Sequence, residues 1–235
     1  METKISRRTQ FLRGMKAGTP VVLGFIPVGI AYAIIARQAG FSIAETCYMS
    51  LSVFAGASQM MAVGKYAEGA SVVAIIFATF ILNLRHIIMS VCVGKRMSDG
   101  GAVARLIAGF GVTDEGFAIF TTEKEENCSI TFYLGLALVT YLSWNVGTLI
   151  GAVASDLLPA IITASLGVSL YAMFIGLLVP GLRGNMKLTL LVLLCAACNT
   201  VLVQFLDSSL ALIISTLLCA FIGVFFVDLE GGNEH

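Results

Sequence analysis

What most constrains this chain is a succession of apolar stretches, each near the length that crosses a lipid bilayer. Eight are visible: Thr19–Ala36, Cys47–Val63, Ala70–Val93, Ala102–Phe120, Ile130–Ala154, Leu157–Val179, Leu188–Phe205 and Ser208–Val227. A helix crosses the hydrocarbon with about 20 residues. Lipid gives exposed backbone groups no partner, so only helices or closed barrels can span it. No alternating barrel pattern is present. Charge agrees with this reading: 12% of residues are charged, against about 25% in a soluble domain. The expectation is an all-α, polytopic integral membrane bundle of six to eight segments, some of them interrupted. A cytoplasmic basic segment, 1–18, precedes a single transmembrane domain, 19–227, and a short cytoplasmic tail, 228–235, follows.

Interruptions are written into several stretches. Pro27 lies between Gly24 and Gly29 and removes a backbone hydrogen bond, so the first helix is expected to kink or break there. The second stretch contains Phe54-Ala55-Gly56-Ala57-Ser58-Gln59, and the sixth carries Gly167, Gly176 and Pro180. A weak internal repeat pairs Val28-Gly29 with Val146-Gly147 at an offset of 118, and Phe54 and Gly56 with Phe174 and Gly176 at 120. Such repeats with interrupted helices are common in secondary transporters.

Basic residues cluster in the N-terminal segment, at Lys95 to Arg105, and at Arg183 to Lys187, apart from the acidic run Glu123 to Glu126. If every stretch crossed, the middle cluster would lie outside, against the positive-inside rule. If the second and sixth dip in without crossing, all three clusters lie inside and the repeats are inverted. Both arrangements put both termini inside. The first span reads as uncleaved, because it is too long for a signal peptide and continues into further membrane.

Several chemistries find no support. There is no phosphate loop with a lysine, no zinc-ligand spacing and no basic tract for nucleic acid. Cys195 and Cys198 have redox spacing without neighbours that would activate a thiol, and the cysteines read as structural. No metal or cofactor is expected, and the chain does not read as an enzyme.

The polar groups in apolar surroundings are the candidate site. Asn83-Leu84-Arg85-His86 interrupts a strongly apolar stretch. A cation at mid-membrane costs about 2.5–3.5 kcal/mol by insertion scales, so it calls for a partner or a polar cavity. Asn83 and His86 share a helix face. Asp114 and Glu115 are the natural partners of Arg85, as an ion pair or as proton-coupling groups. Gly56, Ser58 and Gln59 mark a break whose freed backbone groups could hold an amino acid's charged ends. Trp144 and Asn145 lie inside a span, although tryptophan favours interfaces.

Together Pro27-Val28-Gly29, Phe54 to Gln59, Asn83 to His86, Thr113-Asp114-Glu115, Trp144 and Gly147-Thr148 resemble the AzlC-type branched-chain amino acid permeases, from about Gly14 to Val227. The resemblance implies the large subunit of a two-component exporter. It would move valine and related amino acids across the bacterial inner membrane, with a small AzlD-type membrane subunit and coupling to protons. One departure bears on substrate. Many members of the family it resembles carry an aspartate in the sixth segment, where this chain has Leu166-Gly167-Val168-Ser169-Leu170. A membrane-embedded enzyme acting on lipid or peptide, and a non-catalytic channel-like subunit, are the competing classes.

Overall fold

The computed structural model describes residues 6–97, 99–124, 128–155, 175–176, 178–179, 182–206 and 208–226. Among them the regular structure is entirely helical. The chain divides into two compact units, Met1–Phe174 and Ile175–His235. The first holds α1 (Arg7–Ala17), α2 (Thr19–Gln38), α3 (Ile43–Val53), α4 (Gly56–Ala67), α5 (Val72–Arg96), α6 (Ala102–Phe110), α7 (Asp114–Thr122) and α8 (Ile130–Ala154). The second holds α9 (Met186–Leu202) and α10 (Ser208–Phe226). In the first unit α2, α5 and α8 are long and apolar enough to cross a membrane.

The direction of each helix follows from its contacts. Gly18 meets Val139, Gly147 meets Ile26 and Gly151 meets Ile30, so α1 and α2 run parallel to α8. A Cβ added at Gly147 would fall 2.5 Å from the Ile26 carbonyl oxygen, and one at Gly29 would fall 2.8 Å from that of Trp144. Spans in lipid gain nothing from hydrophobic burial against each other, so van der Waals contact between close backbones holds them.

From the end of α2 the chain folds back on itself. Ser42 and Glu45 form a capping box at the start of α3. Tyr32 Oη donates to the Thr46 carbonyl at 3.2 Å, and further down Phe25 meets Phe54 edge-on at 6.3 Å. At Phe54 the helix stops, and α4 climbs back until Tyr66 packs on Phe41 at 5.0 Å. Thus α3 and α4 form a hairpin that enters and leaves at one end of the unit. α5 then crosses to the opposite end, where Arg96 donates to the Glu123 carbonyl and Asp99 accepts from the Ile130 amide at 2.8 Å.

A second hairpin enters from that opposite end. Gly100 lies on Ile130, and α6 rises until Phe110 meets Tyr141 at 5.9 Å. α7 descends again: Phe120 packs on Tyr133 at 4.9 Å, and Glu123 reaches Arg13 at 3.8 Å. The tips of the two hairpins meet near the middle of α5 and α8.

Three expectations are corrected here. The stretch Ala102–Phe120 is a folded-back pair, not one span. Gly111 N–H closes α6 onto the Ala108 carbonyl at 3.0 Å, and Thr113 caps α7 through the Gly116 amide at 3.1 Å. Glu123 therefore lies at the basic end, beside Arg13 and Arg96. Pro27 sits inside α2, which continues through it, so of the kink or break expected there the break does not occur. The stretches paired at an offset of 118, α2 and α8, lie side by side and parallel, not inverted. The opposed relation is between two other pairs: α2 with the α3/α4 hairpin, and α5 with the α6/α7 hairpin.

In the second unit Asn185 caps α9 through the Leu188 amide at 2.9 Å. α9 and α10 pack antiparallel, with Ser215 Oγ 3.3 Å from Asn199 Oδ1 and Leu191 against Gly223. Cys195 and Cys198 are both free thiols. Most of the sixth stretch, with the run Leu166–Leu170, lies outside the described residues, as do part of the acidic run and the tail 228–235.

Candidate functional site

Where the hairpin tips meet, two cavities adjoin. The first has a volume of about 30 Å³, room for about a single water. The starts of α4 (Gly56, Ala57) and α7 (Thr113, Asp114, Glu115) line it, with Arg85 and His86 from α5 and Trp144 from α8. The second, of about 200 Å³, lies at the ends of α3 and α6, between Val53, Phe110 and Val112, with Asn83 on its wall. Phe54, Ala55 and His86 belong to both. One cavity therefore collects helix starts and the other helix ends. The partial charge is positive at a helix start and negative at its end.

The charged groups are paired across elements. Arg85 Nη2 lies 3.1 Å from Asp114 Oδ2, tying α5 to α7, with both side chains about one-third exposed. Glu115 is buried in the first turn of α7, next to the capping residue Thr113. Two acidic residues in the first turn of α7 suit the positive end of that helix.

Aromatic packing fixes the first tip. Phe54 is the one non-glycine residue with positive φ among the described residues, at 43°. That left-handed conformation costs about 1–2 kcal/mol for a residue with a Cβ. Its ring is held by Tyr141 at 5.0 Å and Phe25 at 6.3 Å. Trp144 stacks on Tyr32 at 5.9 Å and is buried with its Nε1 unpartnered. At Gly56 an added Cβ would lie 2.6 Å from the Trp144 ring, so the tip can sit on the indole only as glycine.

The structure thus brings Gly56, Asn83, Arg85, His86, Asp114, Glu115 and Trp144 to the paired cavities. Ser58 and Gln59 stand one turn behind the tip. Ser58 Oγ donates to Asn83 Oδ1 and joins α4 to α5. Gln59 is fully buried beside the Tyr32 hydroxyl, in no hydrogen bond of good geometry. Asn145 is not brought in: its Nδ2 donates to the Tyr141 carbonyl at 2.8 Å, one turn back on its own helix. An amide in apolar surroundings is satisfied most simply that way. Sequence reasoning missed Phe54 and Phe110 as walls, and missed Thr113 as the cap that turns the second hairpin. The signal for the latter was present, because Gly109-Phe110-Gly111 followed by Thr113-Asp114-Glu115 is a helix stop and then a helix start.

Among known proteins, the family model for the AzlC protein matches residues 20–158. The chain belongs to the AzlC family. The match runs from the start of α2 to just past α8 and so includes both hairpins. The chain is 35% identical to an "Uncharacterized membrane protein" of Archaeoglobus fulgidus, over 77% of this chain and 80% of the relative. It is 31% identical to the "Inner membrane protein YgaZ" of Escherichia coli, over 76% of each chain. Against the "Branched-chain amino acid transport protein AzlC" of Bacillus subtilis, identity is 26% over 65% of this chain and 62% of that one. No solved structure matches. The chain is therefore a helical membrane protein of a transport family.

Proposed function

We propose that this chain is the large subunit of a proton-coupled exporter of branched-chain amino acids such as valine, working with a small AzlD-type membrane subunit. One observation carries the reading. Two hairpins enter from opposite ends and meet on the Asn83–His86 run, which puts helix breaks, polar groups and an apolar wall at one mid-depth site. Discontinuous helices meeting near the midplane are how secondary transporters hold a charged solute in lipid. The printed function of the Bacillus relative supports branched-chain amino acids as the solute.

In this reading Gly56, Asn83, His86 and Trp144 contact the substrate, while Ser58 and Gln59 hold the tip behind them. Asp114 and Glu115 take the coupling proton, and Arg85 keeps the pair charged until they do. The smaller cavity is far below the roughly 300–1,000 Å³ of small-molecule sites, so the hairpins separate to load the solute. The end rich in Arg7, Arg8, Arg13, Lys16, Lys95 and Arg96 faces the cytoplasm of the bacterial inner membrane. Both chain termini are cytoplasmic.

The test is counterflow of labelled valine in proteoliposomes holding this chain and its small partner. Counterflow accumulation is expected, together with net valine flux driven by an imposed proton gradient and abolished by a protonophore. Absence of exchange of valine, leucine and isoleucine would overturn the reading.

A further inference from the structure

The two hairpin tips differ in how their backbone groups are satisfied. At the second tip the Gly111 amide closes α6, and the Thr113 hydroxyl caps α7. At the first tip no side chain caps α4, whose N-cap is Ala55. The first amides of α4, on Gly56, Ala57 and Ser58, therefore have no partner within the helix. Of these residues Gly56 and Ala57 line the smaller cavity, so the start of α4 opens onto it.

A second set of groups points the same way. Trp144 lines this cavity at 2% exposure, and its indole Nε1 has no hydrogen-bond partner. Arg85 also lines it, and its Nε is likewise unpartnered while Nη2 holds Asp114. Indole and guanidinium nitrogens can only donate. Two carboxylates share the wall: Asp114 is paired with Arg85, and Glu115 is buried in the first turn of α7. His86 Nδ1 can serve in either sense by tautomer. The unpartnered nitrogens that must donate, Trp144 Nε1 and Arg85 Nε, thus share this cavity with the open start of α4.

We propose that this donor cradle, the open start of α4 with Trp144 Nε1 and Arg85 Nε, binds the carboxylate of the transported solute, and that the adjoining cavity takes its branched side chain. The smaller cavity holds about 30 Å³, so the carboxylate enters it as the hairpins part. The neighbouring cavity of about 200 Å³ offers Val53, Phe54, Phe110 and Val112 to a branched aliphatic group, with Asn83 and His86 also on its wall. Because the cavities share Phe54, Ala55 and His86, one small molecule can reach into both. The recognised class is a short branched aliphatic acid, with the ammonium secondary. This rests on the transporter reading for what the solute is, but not for where its carboxylate goes.

Trp144 is the sole tryptophan of the chain, so its fluorescence reports on the cradle directly. The full chain in nanodiscs is titrated with L-leucine, with isovalerate, which lacks the ammonium, and with isopentylamine, which lacks the carboxylate. Leucine and isovalerate are expected to shift the emission and to displace labelled valine, and isopentylamine to do neither. Displacement by isopentylamine but not by isovalerate would overturn the proposal, as would silence from all three. Ala57→Pro removes one unpartnered amide at a position where a helix tolerates proline. It is expected to weaken isovalerate by about tenfold. Should Ala57→Pro fail to fold, Trp144→Phe removes the indole donor and is read by displacement of labelled valine. Unchanged isovalerate affinity in that variant counts against the proposal. Valine counterflow with inert isovalerate would sink the cradle and leave the transporter reading standing. Isovalerate binding without any amino acid exchange would do the reverse.

Discussion

Arg85 and Asp114 show how an isolated charge becomes tolerable among apolar helices. The guanidinium lies 3.1 Å from the carboxylate, and each is part-exposed to the cavity. Replacing one partner leaves the other unpaired. Arg85→Gln alone is expected to lower stability by about 1–2 kcal/mol, less than for a fully buried pair. The double variant with Asp114→Asn should recover most of the thermal midpoint but not proton-driven valine flux. A double variant as unstable as the single one would show that the pair is not the origin of the loss. Gly56 acts at the same scale. Gly56→Ala drives a methyl into the Trp144 ring, and overpacking of this kind costs about 1–3 kcal/mol. A lower midpoint together with altered Trp144 emission is expected. That Arg85 needs a carboxylate is legible in the sequence, because an unpaired cation in lipid is costly. That Asn145 satisfies itself on Tyr141 is not legible, since the run of residues does not say which way an amide turns.

At the scale of elements, the parallel pair of α2 and α8 is the frame on which both hairpins rest. Its faces are cut by Gly29 on one helix and by Gly147 and Gly151 on the other, so the two backbones nearly touch. Gly147→Ile cannot be accommodated without parting the helices. We expect it to abolish accumulation of folded protein, measured as the monodisperse fraction after extraction, while Leu149→Ala on the exposed side of α8 leaves that fraction unchanged. Comparable yields from the two variants would contradict the close packing. The hairpins depend on local chemistry instead. Thr113→Val removes the cap of α7, which costs about 1 kcal/mol, and should shift the thermal midpoint down without changing the direction of the chain.

At the scale of the whole molecule, folded-back helices decide sidedness. With α3/α4 and α6/α7 as hairpins, Gln38 and Glu68 share one end, and Gly101 and Lys124 share the other. In a cysteine-free background, Gln38→Cys and Glu68→Cys are both expected to label from outside the cell. Gly101→Cys and Lys124→Cys should label only after permeabilisation. Opposite labelling within either pair would mean that the intervening stretch crosses. A chain that crossed at every apolar stretch would separate both pairs, so four single variants distinguish the arrangements.

The sequence by itself determined the helical membrane class, because stretches that long and that apolar have no other stable solvent. It also determined that the Asn83–His86 run needs company, and that Phe54 to Gln59 is a place where a helix can stop. It could not reveal that Ala102–Phe120 folds back, because hydropathy averages over the Gly109 to Glu115 break and sees one continuous stretch. Nor could it tell which polar groups converge. That depends on small residues letting α8 approach α2, which sets the depth at which Trp144 meets Gly56. Only the tertiary structure brings two helix starts and two helix ends to one point. Partial charges at helix termini act over about a turn, so their effect exists only once that convergence is made.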